Sequence, residues 1–236
     1  MFAFPSIEFI IQHSILTMGF DVNLPLREVL FVKDFRGFRS GDRFQFKKQV
    51  TLLSGDNGAG KSTLISEIRT LFKSYGSFHP SIHIKAKPNN KISGKCEYID
   101  LAGGLLKSQS YFSDDSELQI HCLYKSFGES ALMQLLSLLK NFDGAFLIID
   151  EPERGMSSAK QFIIAKLLKK WVISHPDVQV LIVTHSFEIM DEFFNFDSEI
   201  SELKVLPGFV SMSPTQLRNS YRAFSLTLWK SAKDEC

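Results

Sequence analysis

The run Gly55-Asp56-Asn57-Gly58-Ala59-Gly60-Lys61-Ser62-Thr63 constrains this chain more than any other stretch. It matches the pattern G-x-x-x-x-G-K-[ST], in which glycines let the backbone approach phosphate oxygens, a lysine ammonium reaches the β and γ phosphates, and a hydroxyl holds magnesium. Its flanks agree with that reading. Gln49 to Ser54 reads as a buried strand, and Leu64, Ile65, Ile68, Leu71 and Phe72 recur at helical spacing. Strand, loop and helix in that order place a phosphate at a helix N-terminus, where unpaired amides and the helix dipole favour an anion. Gly55, Asn57, Gly58, Ala59, Gly60, Lys61, Ser62 and Thr63 are therefore the expected nucleotide contacts, with ATP and Mg2+ as the ligands and Ser62 on the metal.

A chain of 236 residues, 44% of them hydrophobic, can bury the core of one sizeable α/β domain. Twenty-seven basic against 26 acidic residues leave no bulk charge that would point to nucleic acid or an anionic membrane, although a local patch stays open. Cys96, Cys122 and Cys236 are widely spaced and form no C-x-x-C pair, as in a reducing cytoplasm, and argue against a disulfide framework or zinc knuckle. Pro5, Glu8, Gln12 and His13 interrupt the apolar N-terminus, so neither a signal peptide nor a membrane span is expected. Residues 1–26 read as an accessory segment, and residues 1–17 as that or as an upstream start before Met18. Phe31, Phe35, Phe38, Phe44 and Phe46 fall at strand spacing and read mostly as core.

Residues 27 to 35 and 43 to 53 read as two strands joined by a turn around Gly37 and Gly41. Pro80, Pro88, Asn89, Asn90, Gly94, Gly103 and Gly104 break the next stretch, which reads as a small irregular insertion at about 74–125 within a single domain over 27–236. A helix from Ser126 to Lys140, a strand from Ala145 to Ile149, a helix from Ser158 to Ser174, a strand from Val178 to Val183 and a helix near Thr215 to Trp229 follow. Alternating strands and helices imply a mainly parallel sheet flanked by helices, with an antiparallel N-terminal part.

Three downstream motifs carry chemistry. Ala145 to Ile149 is a continuous apolar run that ends in Asp150-Glu151-Pro152-Glu153, as a central parallel strand does when it delivers carboxylates to a ligand crevice. Asp150 is expected in the magnesium shell, and Glu151 is the candidate general base that polarises a water for attack on the γ phosphate. Val178 to Val183 ends at Thr184-His185-Ser186 on the same sheet edge, within reach for His185 to hydrogen-bond the γ phosphate and the attacking water. Ser126-Phe127-Gly128-Glu129-Ser130 opens the next helix and supports two readings equally. Ser126 and Glu129 form a capping box, or Ser126 beside Gly128 makes an anion site for a γ phosphate offered from outside its own subunit.

These elements, in this order, resemble the ABC-class ATPases, with Asp150 following Ser126 by 24 positions (150 minus 126). Phe35-Arg36-Gly37-Phe38 resembles the opening of RecF and SMC-like ATPases. The segments 126–130, 150–153, Met156-Ser157 and 183–186 look most like the small stand-alone bacterial AAA family ATPases. The resemblance covers roughly residues 27 to 190. It implies a P-loop fold, ATP hydrolysis and an ATP-dependent head-to-tail homodimer in which each nucleotide meets one subunit's P-loop and the other's Ser126, Gly128 and Glu129, with Ser157 in the loop that crosses the interface. An effector protein or a nucleic-acid transaction, in defence or repair, is the implied output. Ser-Phe-Gly-Glu-Ser departs from the transporter-type Leu-Ser-Gly-Gly-Gln. Gln109 and Gln119 are the candidates for the family's glutamine loop, and Phe35 and Phe38 the nearest for the adenine-contacting aromatic. A nucleotide-binding subunit of an ABC transporter is the alternative. Only 65 positions separate Lys61 from Ser126 (126 minus 61), which leaves little room for a permease-docking subdomain, and Glu153 stands where a threonine is usual.

Overall fold

Mainly apolar runs can be buried on both faces, and three of them lie side by side as parallel neighbours: Val50–Gly55 (β3), Phe146–Asp150 (β6) and Gln179–Val183 (β7). The computed structural model describes residues 24–73, 83–87, 94–100, 127–196 and 199–234. Adding Cys96–Asp100 (β5), Ser201–Leu206 (β8) and Val210–Ser211 (β9) gives a six-stranded sheet in the order β5-β6-β7-β3-β8-β9, parallel except for β9. Glu28–Phe31 (β1), Arg43–Gln45 (β2) and Ile84–Lys87 (β4) form a separate antiparallel sheet ordered β2-β1-β4.

Alternate residues of each central strand point to opposite faces and so build two cores. Leu52, Leu147, Ile149, Val180 and Ile182 face one core, closed by helices Phe127–Lys140 (α2), Ser158–Ser174 (α3) and Phe187–Phe196 (α4). Leu53, Phe146, Ile148, Leu181 and Val183 face the other, which is shared with Lys61–Lys73 (α1) and the antiparallel sheet. A fifth helix, Pro214–Asp234 (α5), seats Leu217 in the first core and leans on α4 through Arg218, which bonds Asp191 at 2.8 Å and lies over the Phe187 ring. Two glutamines join the layers. The Gln179 side chain pairs with both backbone groups of Leu26, at 3.0 and 2.8 Å, and the Gln49 amide donates to the His175 carbonyl at 2.9 Å beyond the end of α3.

The architecture is the mixed α/β fold expected from the sequence, and the differences have local causes. The stretch 43–53 is two strands in different sheets, because Phe44 and Phe46 are committed to the aromatic side of the second core before β3 enters the parallel sheet. The irregular insertion supplies β4 and β5, one to each sheet. Helix α4 and strands β8 and β9 were not anticipated, since their apolar residues alternate with acidic and polar ones in segments too short for a clear period. Leu24 and Leu26, in the expected accessory segment, are buried core residues, whereas residues 1–23 lie outside the described set. Phe31, Phe38, Phe44 and Phe46 are buried. Among the described residues no helix is long and apolar enough to cross a membrane.

Candidate functional site

Strands β3, β6 and β7 run parallel, so the loops after their C-terminal ends open on one edge of the sheet, and each carries a motif residue. After β3 the chain turns through Gly55 to Gly60 into α1. Gly55 has φ +140 and a Cβ there would lie 2.3 Å from the Leu206 carbonyl oxygen, so the approach of β8 demands glycine. Gly60 has φ +101 and a Cβ there would meet the Phe38 ring at 2.8 Å. Phe38 is buried and stacked on Phe31 at 4.2 Å, which makes it packing beneath the loop and not an adenine contact. Phe35 stacks on His83 at 3.8 Å.

The Lys61 ammonium is buried and folds back onto the loop, donating to the carbonyls of Gly55 at 2.6 Å and Asp56 at 3.1 Å. Burial lowers its pKa, opposed by the carboxylates of Glu151, Asp150 and Asp56. Asp150 ends β6 in register with Asp100 of β5 and accepts the Tyr98 hydroxyl at 3.0 Å. Burial raises its pKa against that bond, and the negative charges of Glu151 and Asp100 add to the rise. The Arg69 guanidinium, on α1, caps the other side of the Tyr98 ring at 4.1 Å. Glu151 has a left-handed backbone, φ +46, and its N–H donates to the Val183 carbonyl at 2.9 Å. Its carboxylate lies 3.8 Å from His185 Nε2 and 3.6 Å from the Arg154 guanidinium. Burial, aided by the Lys61 charge, holds His185 below its ordinary pKa of 6.5, so the imidazole is neutral at pH 7.

Two cavities meet at Glu151. One, of about 310 Å3, is lined by Lys61, Ser62, Asp150, Tyr98, Arg69 and Asp100 among others. The other, of about 580 Å3, runs from Asp56, Asn57 and His185 to Tyr221, Phe224 and Ser225 of α5. The hydroxyl of Ser62 and the carboxylate of Asp150 in one cavity are hard oxygen donors that suit magnesium. Among the described residues no cluster of three or more His, Cys, Asp or Glu is placed to hold a metal alone. An ion that keeps several waters and shares phosphate oxygens fits such a sparse donor set.

The other sequence-predicted residues lie apart. Gly128, in the first turn of α2, faces Met156, the Gly155 carbonyl and Lys160, and a Cβ there would sit 3.3 Å from Met156. Glu129 lies 3.8 Å from the Lys160 ammonium. Ser157 is exposed at the head of α3 with extended backbone and makes no side-chain capping bond. None of the three lines either cavity. Ser126, Gln109 and Gln119 are outside the described residues. Sequence reading missed Tyr98, Arg69 and the α5 residues. The alternation Cys96-Glu97-Tyr98-Ile99-Asp100 was a strand signal, obscured by the turn-forming residues on both sides. Nothing in the sequence places α5 beside Glu151.

With this geometry established, comparison with known proteins gives a consistent class. Residues 30–119 match the model of a family described as "AAA domain", and residues 109–191 match one described as "AAA domain, putative AbiEii toxin, Type IV TA system". An ATP-binding cassette of an ABC transporter superposes with a TM-score of 0.50 at 19% identity, covering 80% of this chain and 90% of that one. The cbiO1 component of a Clostridium perfringens ABC transporter complex gives 0.52 at 17%, covering 84% and 92%. The two family models and the fold of these neighbours together support an AAA- or ABC-type P-loop ATPase domain. The DNA mismatch repair protein MutS of Thermodesulfovibrio yellowstonii is 26% identical over 153 residues, which is 64% of this chain and 16% of that protein. The chain thus spans about one sixth of the length of that relative.

Proposed function

We propose that this chain binds ATP with magnesium, hydrolyses it, and does so as a head-to-tail homodimer. The observation that carries the reading is the convergence of Lys61, Ser62, Asp150, Glu151 and His185 on one sheet edge, from the ends of three adjacent parallel strands. The Lys61 ammonium, now bonded to two loop carbonyls, would exchange them for β and γ phosphate oxygens. Ser62 and Asp150 would hold magnesium, which when bound supplies charge neutralisation on the phosphates. Glu151 would accept a proton from the attacking water, and the neutral imidazole of His185, 3.8 Å away, would orient that water or the γ phosphate by hydrogen bonding.

The dimer is supported by what the site lacks in its own subunit. Glu129 and Ser157, both exposed, lie beside the buried Gly128 at the heads of α2 and α3, a separate surface open to a second copy. A mismatch repair relative and a toxin-named family model favour an effector protein or a nucleic-acid transaction as the output. The test is ATP turnover by the purified chain with magnesium as a function of protein concentration. Specific activity that rises with concentration and vanishes in Glu151→Gln supports the reading, and activity untouched by Glu151→Gln overturns it.

A further inference from the structure

Glu153 is a buried carboxylate that the reaction above does not use. It is 8% exposed, Oε1 accepts the backbone N–H of His185 at 2.6 Å and of Ser186 at 3.2 Å, and Oε2 is buried with no hydrogen-bond partner. The turn that carries it is tight. The Arg154 N–H donates to the Glu151 carbonyl at 3.0 Å and the Met156 N–H to the Glu153 carbonyl at 3.0 Å. The loops after β6 and β7 are therefore joined twice, by the ladder bond from Glu151 N–H to Val183 and by this side chain.

Stability alone is a poor reason for the residue. Burying a carboxylate costs free energy that the two amide hydrogen bonds to one of its oxygens offset only in part. Burial raises its pKa, opposed first by the His185 N–H. What the contact does is local. Glu151 sits at φ +46, a conformation that a non-glycine residue keeps only when its surroundings over-determine it, and His185 faces it across the gap that Glu153 bridges.

We propose that Glu153 is a positioning residue that ties the His185 backbone to the turn bearing Glu151, setting the 3.8 Å separation of imidazole and carboxylate. The proposal rests on the reading of Glu151 and His185 as the hydrolytic pair. Its test compares Glu153→Ala with Glu153→Gln, which keeps an oxygen to accept the two amides. Glu153→Ala is expected to lower kcat about tenfold or more while ATP affinity stays within about twofold, since Lys61 and its loop are untouched. Glu153→Gln is expected to recover most of kcat, with a Tm no lower than that of the parent chain. The His185 ring resonances should move in the alanine variant and return in the glutamine one. An unchanged kcat in Glu153→Ala overturns the proposal. So does a glutamine variant that is folded and as slow as alanine, or a parallel loss of binding, turnover and Tm. No turnover in the parent chain would instead sink the hydrolytic reading, and the ring resonances alone then decide whether Glu153 fixes His185.

Discussion

Lys61, Asp150, Glu151 and His185 are drawn together at one sheet edge, whereas Gly128, Glu129 and Ser157 sit at the heads of α2 and α3 and reach neither cavity. The first region is electrostatically coupled: burial lowers the Lys61 pKa, raises that of Asp150 and lowers that of His185, while Ser62 and the His185 ring still reach the surface. The second is open, with Ser157 and Glu129 exposed. Strand order dictates the first arrangement, because parallel neighbours end on the same edge. The second is fixed only by contacts between helix ends, such as Gly128 against Met156. In the proposed head-to-tail dimer a second copy would bring its exposed Glu129 and Ser157 to this charged edge.

Experiments can break this contrast, beginning with the largest effect. Glu151→Gln should lower turnover by about two to four orders of magnitude with ATP binding intact. The stalled protein should elute as an ATP-dependent dimer in size-exclusion chromatography, and a monomer would deny the open region its role. Lys61→Ala should weaken nucleotide affinity about a hundredfold, because a buried charge-assisted contact is lost, as measured by calorimetric titration. Ser126→Arg is expected to abolish turnover as well. Mixing it with Lys61→Ala should restore part of the activity, because one composite site per mixed dimer is then intact; no recovery on mixing means the two regions do not act across subunits. Tyr98→Phe, which frees Asp150 of its hydroxyl partner, should shift the magnesium dependence of turnover by about tenfold and leave the fold unchanged.

The smallest effect concerns pH. His185 is held below 6.5 in the folded chain, so the unfolded chain takes up its proton first as the pH falls. Stability should therefore drop as pH falls through 6.5 toward the lower folded value, and be unaffected by this group above it. A thermal denaturation series from pH 7.5 to about 5.5 should show a smaller loss for His185→Gln than for the parent.

The P-loop was legible because its glycines, lysine and hydroxyl are consecutive, and the apolar runs of β6 and β7 because burial on both faces leaves an uninterrupted signal. Tyr98 was not, since its meaning comes from β5 pairing beside β6, in register from Asp100 to Asp150 across fifty positions of sequence. Glu153 was visible as a departure from the usual threonine, but its bonds to His185 and Ser186 depend on which strands are neighbours. Phe38 read as either core or ligand contact, and its stacking under Gly60 decided for core.

By itself the sequence determined that a phosphate-binding loop lies between a buried strand and a helix, that carboxylates and a histidine end two further buried strands, and that these motifs resemble those of P-loop ATPases. Those are consequences of local chemistry, in which residue type and spacing suffice. Only the tertiary structure decided that β6 and β7 adjoin β3 in that order, that Glu153 staples their loops, and that α5 walls the cleft beside His185. These depend on pairings between distant segments, and the free energy that selects them comes from burying whole strand faces, which no single motif encodes.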